Sequence, residues 1–194
     1  MRVSLSTAAR RVVAVTVAAI AALAVSTAAY AAASSPGAAR TPATAIPRCT
    51  TSDLRVRLAV DQANGTAGTF YYPLDFRNIS HHTCYLSGYP GVSALDRKGR
   101  QLGSPAGWGS RAGTRIVNVA PGATAHTELA YHDVAVTTES GCDPVNSAVD
   151  LRVYPPDQRS STDAAFTLEA CSHAGPVWMS IYEPIIPGAG TIYG

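Results

Sequence analysis

Five histidines, four cysteines and a few serines beside glycines are the residues of this 194-residue chain that could do chemistry. A metal centre needs neutral imidazoles converging with thiolates or carboxylates. The histidines are His81, His82, His126, His132 and His173. His81 and His82 are adjacent, so a strand would point them to opposite faces, and the loop expected here leaves them solvated. His126 and His132 differ by six, which puts them on one face of a continuous strand but about 20 Å apart. A copper-carrying sandwich would add several methionines, and after the N-terminal leader there is only Met179. The spacings predict no metal site and no cofactor.

Serine and carboxylate chemistry fares no better. A serine hydrolase elbow reads Gly-x-Ser-x-Gly, which WGSRAG (Trp108 to Gly113) does not match. A chymotrypsin-like nucleophile would need a Gly-Asp-Ser-Gly surround, and neither Gly109-Ser110 nor Ser140-Gly141 has one. Glycoside hydrolysis needs two carboxyls about 5–10 Å apart across a cleft, and a small sandwich without long insertions rarely forms that cleft. The chain is therefore read as non-enzymatic. What remains is recognition by loops: SPAGWGSRAG presents Trp108 and Arg111 amid glycines. Trp with Arg is a pairing enriched in binding hot spots and on sugar-stacking surfaces. The alternative is that Trp108 folds back as a cap on the edge of the fold. Trp178, in VWMSIY, is read as scaffold.

Cys49, Cys84, Cys142 and Cys171 form an even set that reads as two disulfides in an exported chain. Three connectivities are possible. The favoured one joins Cys49 to Cys84 and Cys142 to Cys171, because each closes a local loop of a few strands. No two cysteines fall within a C-x2-4-C spacing, which argues against zinc.

Export is written at the N-terminus. Arg2, Arg10 and Arg11 precede an apolar run from Val12 to Val25 and small residues ending Ala29-Tyr30-Ala31. That is a secretory signal peptide, residues 1–31, with cleavage expected after Ala31 or Ala33. The run is too short and Ala-rich for a permanent membrane span, which needs about 20 apolar residues. Three of the 15 Lys and Arg lie in the leader, leaving 12 against 13 Asp and Glu, or about −1 net. The eleven remaining arginines are scattered, so no stripe for nucleic acid or an anionic membrane is expected. Residues 32–48 form a linker rich in Pro, Ala and Thr with little to bury, expected to be extended and disordered.

From Cys49 the apolar period becomes two. LRVRLAVD alternates Leu54, Val56, Leu58 and Val60 against polar or small partners, and TFYYPLDF puts Phe70, Tyr72, Leu74 and Phe76 on one face. NGTAG between them supplies turn residues for a hairpin, with Pro73 expected at a bulge or with its nitrogen facing outward. Further short strands follow, each bounded by Gly, Pro, Asp or Asn, so the chemistry-bearing loops must hang on an all-β sandwich or barrel. Asp96-Arg97-Lys98-Gly99 fits a charged hairpin tip, Tyr89-Pro90-Gly91 a type II turn, and VAPGATA repeats that device. Asn78-Ile79-Ser80 reads as loop capping.

Cys49, DFRNIS (Asp75 to Ser80), CYLSGYPGVSALDRKG from Cys84, VAPGATA, Cys142 and the strand ending VYPP together resemble domain-of-unknown-function family 4232. That family occurs in secreted and lipid-anchored actinobacterial proteins. The resemblance implies export, an immunoglobulin-like antiparallel β-sandwich and paired cysteines, and it transfers no activity. The lipid-anchoring cysteine of some members is missing here. The combined expectation is a secreted module, domain 49–183 with a tail at 184–194, binding an extracellular or cell-envelope ligand through its loops. A structural or assembly protein of the wall or matrix is the alternative reading, and a secreted hydrolase the third.

Overall fold

The computed structural model describes residues 45–109, 113–134, 141–175 and 177–190. The leader, most of the linker and Arg111 lie outside the described residues. Strand β1 (Leu54–Leu58) buries Leu54, Val56 and Leu58 and exposes Arg55 and Arg57, as a period of two requires. It pairs antiparallel with β3 (Thr69–Asn78), from Leu54 opposite Asn78 to Leu58 opposite Leu74. The expected hairpin is therefore present, but its connection differs from the simple turn expected. Val60–Gln62 forms a 3-10 turn, and Asn64–Thr66 is a short strand, β2, that pairs back onto Thr69–Tyr71. The true tip is Ala67-Gly68, with φ of 49° and 78°.

Pro73 explains the interruption. In an antiparallel ladder the nitrogen and carbonyl of one residue point toward the same neighbour. The Pro73 carbonyl accepts the Ala59 N–H at 2.9 Å, so its donor-less nitrogen faces the side where β1 has just ended. The edge strand breaks there into the 3-10 turn and resumes as β2, giving the bulge that the proline demands. Val60, expected on the buried face, is carried out of register and is 53% exposed.

The remaining strands are β4 (Cys84–Leu86), β5 (Gly91–Asp96), β6 (Gln101–Leu102), β7 (Gly107–Trp108), β8 (Val117–Val119) and β9 (Thr124–His132). They are followed by β10 (Pro144–Tyr154), β11 (Thr162–Cys171), β12 (Met179–Ile181) and β13 (Ile186–Pro187). One sheet runs β1-β3-β9-β12-β7, with β2 added on β3 and β13 on β9; the other runs β11-β10-β5-β6. Strands β4 and β8 make a separate pair. Leu74, Phe76, Leu129 and Ile181 from the first sheet and Val92, Leu151, Val153 and Phe166 from the second are all buried in one core. Each such side chain contributes about 1.5–3 kcal/mol by leaving water. This is the immunoglobulin-like antiparallel β-sandwich that was expected, apart from the parallel pairing of β7 with β12. Among the described residues there is no α-helix, and no helix long and apolar enough to cross a membrane.

The disulfides are Cys49–Cys84 and Cys142–Cys171, with Cα atoms 4.8 and 5.1 Å apart, in the favoured connectivity. Two of the expected turns also form. The Asp96 Oδ1 accepts the N–H of Lys98 at 2.8 Å and of Arg100 at 2.9 Å, while Gly99 takes φ 71°. Ala120–Ala123 closes with Gly122 at φ 77°. The Tyr89-Pro90-Gly91 turn does not form: Gly88 carries the positive φ, 104°, and Gly91 is the first residue of β5. Gly91 instead pairs with Tyr154 of β10, and an added Cβ would stand 3.6 Å from the Tyr154 Cβ, an ordinary contact distance. The ordered fold also runs past Glu183, where a tail was expected to begin. Ile185 is fully buried, and β13 pairs with β9 through Ile186 opposite His126. This pairing lies 60 positions away in sequence, beyond the reach of any local pattern.

Candidate functional site

Strand β7 places Trp108 at the outer edge of the larger sheet. Gly107 and Trp108 lie opposite Ser180 and Ile181 of β12, and the Gly109 N–H donates to the Ile181 carbonyl at 2.7 Å. Gly109 is required there, because a Cβ would stand 2.5 Å from the Tyr182 carbonyl oxygen. The Trp108 side chain is not a cap on the core: the residue is 68% exposed. Its ring stacks on Tyr89 at 6.1 Å with 26° between planes, and its Nε1–H donates to the Pro90 carbonyl at 3.2 Å. Tyr89 in turn packs against the core, and the Gly88 carbonyl beside it accepts the Ile185 N–H at 2.9 Å. A large apolar face is thus held open to solvent in one orientation. The ring offers dispersion and CH–π contact to a flat apolar surface, the chemistry of sugar stacking and of aromatic anchors. Its expected companion Arg111, like Ser110 and Ser140, lies outside the described residues.

Trp178 has the opposite character. It is 1% exposed, packs edge-on against Tyr131 at 6.0 Å, and its buried Nε1 has no hydrogen-bond partner. It is scaffold, as expected, although it lies just before β12 rather than within it. The histidines are dispersed. His81 and His82 are exposed in a loop, His126 Nδ1 meets the Gly188 carbonyl at 2.8 Å, and His132 Nδ1 meets Thr69 Oγ1 at 3.0 Å. His173 sits between Ser172 and Asp143. Among the described residues no three His, Cys, Asp or Glu side chains group as a metal site.

A concavity that the sequence reading missed lies where the edge strand breaks opposite Pro73. About 680 Å³ in volume, it is lined by Val60, Ala63, Phe70, Tyr72 and Phe166 among others. Tyr72 and Phe166 meet edge to face at 4.9 Å in its wall. Burial pushes the Tyr72 phenol above its ordinary value. The surface is mainly apolar, with Asn64 and Thr167 as its polar lining, and among the described residues that line it there is no nucleophile–base pair. The one signal for it in the sequence is Pro73 itself, whose missing N–H forces the edge open.

Residues 49–178 match the family described as Domain of unknown function (DUF4232). The chain belongs to the DUF4232 family. The matched segment holds both disulfides, Tyr89, Trp108 and the apolar concavity; β12, β13 and the closing tail lie beyond it. No curated protein and no solved structure matches the chain. The family's description names no activity, so any function for this DUF4232 protein has to be argued from its own surface.

Proposed function

We propose that this DUF4232 chain is a secreted, non-enzymatic β-sandwich module that binds an extracellular or cell-envelope ligand by stacking it on Trp108. The observation that carries the reading is the pre-positioned indole. A 68%-exposed tryptophan braced by Tyr89 and tethered through Nε1 loses little conformational freedom when a ligand arrives. Two disulfides fit an oxidising compartment, and the leader supplies a route to it. A flat ligand such as a glycan ring of an envelope polymer suits a single exposed aromatic face.

The test is co-sedimentation of the full chain with purified peptidoglycan and with soluble envelope glycans, beside Trp108→Ala. Tryptophan emission gives a second readout, because Trp178 is buried and only Trp108 can respond to a surface ligand. Wild type is expected to sediment and to shift its emission, and the alanine variant to lose at least tenfold in affinity, about 1.4 kcal/mol. Equal binding by both proteins, or binding by neither, removes the proposal.

A further inference from the structure

The outer face of the β1–β3 pair carries a charge arrangement that the fold does not explain. The register that sets Leu54 opposite Asn78 also sets Arg55 directly opposite Arg77, and Arg57 opposite Asp75. All four residues share one face, since they alternate with the buried set. Like charges placed directly across a pair of strands repel. Arg57 is compensated, with its guanidinium 3.1 Å from Asp75 Oδ2. That carboxylate is then occupied, because its Oδ1 accepts the Gly190 N–H at 2.9 Å. Among the described residues neither Arg55 nor Arg77 has an ion pair or a hydrogen-bond partner for its side chain. Of the nearby carboxylates, Asp53 is held by Thr50, while Glu128 and Glu183 line a different hollow with His126.

Two hollows open on either side of the uncompensated pair. One of about 310 Å³ is lined by Arg55, Arg57, Asp75, Arg77, Thr124 and Ala189. The other, of about 420 Å³, includes Arg55, Arg77, Ser80 and His81 in its lining. The two arginines wall both. We propose that Arg55 and Arg77 form an anion-binding pair that takes an oxyanion, phosphate or carboxylate, between their guanidinium groups. A guanidinium offers planar, paired N–H donors that match such oxygens in bidentate fashion. A bound oxyanion converts the repulsive pair into two attractive contacts, with Thr124, opposite Arg77, in the lining of one hollow. This site stands apart from Trp108: β1 and β7 are the two ends of the main run of the larger sheet.

The experiment is thermal unfolding of the full, disulfide-intact chain at fixed ionic strength, exchanging chloride for inorganic phosphate and, separately, for succinate. Phosphate, succinate or both are expected to raise the wild-type midpoint in a saturable way, and the pair of titrations tells which oxyanion is preferred. Arg77→Gln is expected to weaken that response at least tenfold, whereas Arg115→Gln, which removes an exposed arginine elsewhere, keeps it. In chloride alone Arg77→Gln is expected to be at least as stable as wild type, since it relieves the repulsion. A response to phosphate and succinate no larger than to chloride, or an unaltered response in Arg77→Gln, overturns the proposal. So does a marked loss of stability of Arg77→Gln in chloride, which would make the arginine structural.

Discussion

At the scale of single residues, the aromatic side chains divide by what holds them. Trp108 is exposed and tethered, and Trp178 is enclosed. Tyr131 shows what enclosure does to an ionisable ring. It is 7% exposed, stacked on Phe70 at 6.3 Å and edge-on to Trp178. Burial pushes its phenol up to about 12 from an ordinary 10.0, with the negative charges of Asp133 and Glu169 adding to the rise and the Val134 N–H opposing it. A raised phenol favours the neutral form in the folded state. Its contribution to stability is therefore complete below about pH 10, where the unfolded phenol is still protonated, and is lost as pH rises from about 10 through about 12. Tyr72 is shifted in the same direction by burial. The thermal midpoint should fall between about pH 10 and about pH 12, and Tyr131→Phe, which cannot ionise, should flatten that fall. Parallel curves for the two proteins would show that Tyr131 is not the titrating group.

At the scale of elements, the C-terminal segment is a working part of the sandwich. After β13 the chain crosses the outer face of the sheet, and Gly190 lies so close that a Cβ would sit 2.1 Å from Pro73 Cβ and 3.0 Å from His126 Cδ2. No side chain fits there without moving backbone, and the first bond lost would be Gly190 N–H to the buried Asp75. Gly190→Ala should therefore lower stability by about 1–3 kcal/mol, the cost of leaving a buried acceptor short of a donor. It should also expose residues near 185 to protease, read by mass spectrometry of timed digests; an unchanged midpoint with an intact C-terminus would refute the latch. The sequence showed none of this, because nothing local in YEPIIPGAG marks a strand. It did show β1, β3, the Asp96 turn and the Pro121-Gly122 turn, where alternation or turn chemistry acts within a few residues. Asn78 was legible for the same reason: its side chain binds the N–H and hydroxyl of Ser80, two residues on, and also reaches the His82 and Val119 carbonyls. Val60 was misplaced because a proline on the neighbouring strand breaks the edge, and Gly91 because strand pairing with β10 takes it up while Gly88 carries the positive φ. The Arg55–Arg77 juxtaposition was invisible until the register was fixed.

At the scale of the whole molecule, the two disulfides act on separate stretches of chain. Cys49–Cys84 spans 35 positions and ties the start of the domain to β4, while Cys142–Cys171 spans 29 and joins the approach to β10 with the end of β11. The loops do not overlap, so each restricts a different part of the unfolded ensemble. Chain entropy assigns each bond roughly 3.5–4 kcal/mol. Against a total stability of about 5–15 kcal/mol for a domain, one loss is tolerable and two consume most of the margin. Replacing Cys49 and Cys84 with Ala, or Cys142 and Cys171, should each leave a folded protein with a lowered midpoint, and the costs should add in the four-fold variant. Because all four cysteines are buried in the core, a reductant reaches them only through unfolding. Thiol reagents should therefore leave the native protein oxidised for hours and reduce it readily in denaturant, as alkylation followed by mass spectrometry would read. Rapid reduction under native conditions, or single-pair variants as stable as wild type, would mean that the packed sheets alone carry the fold.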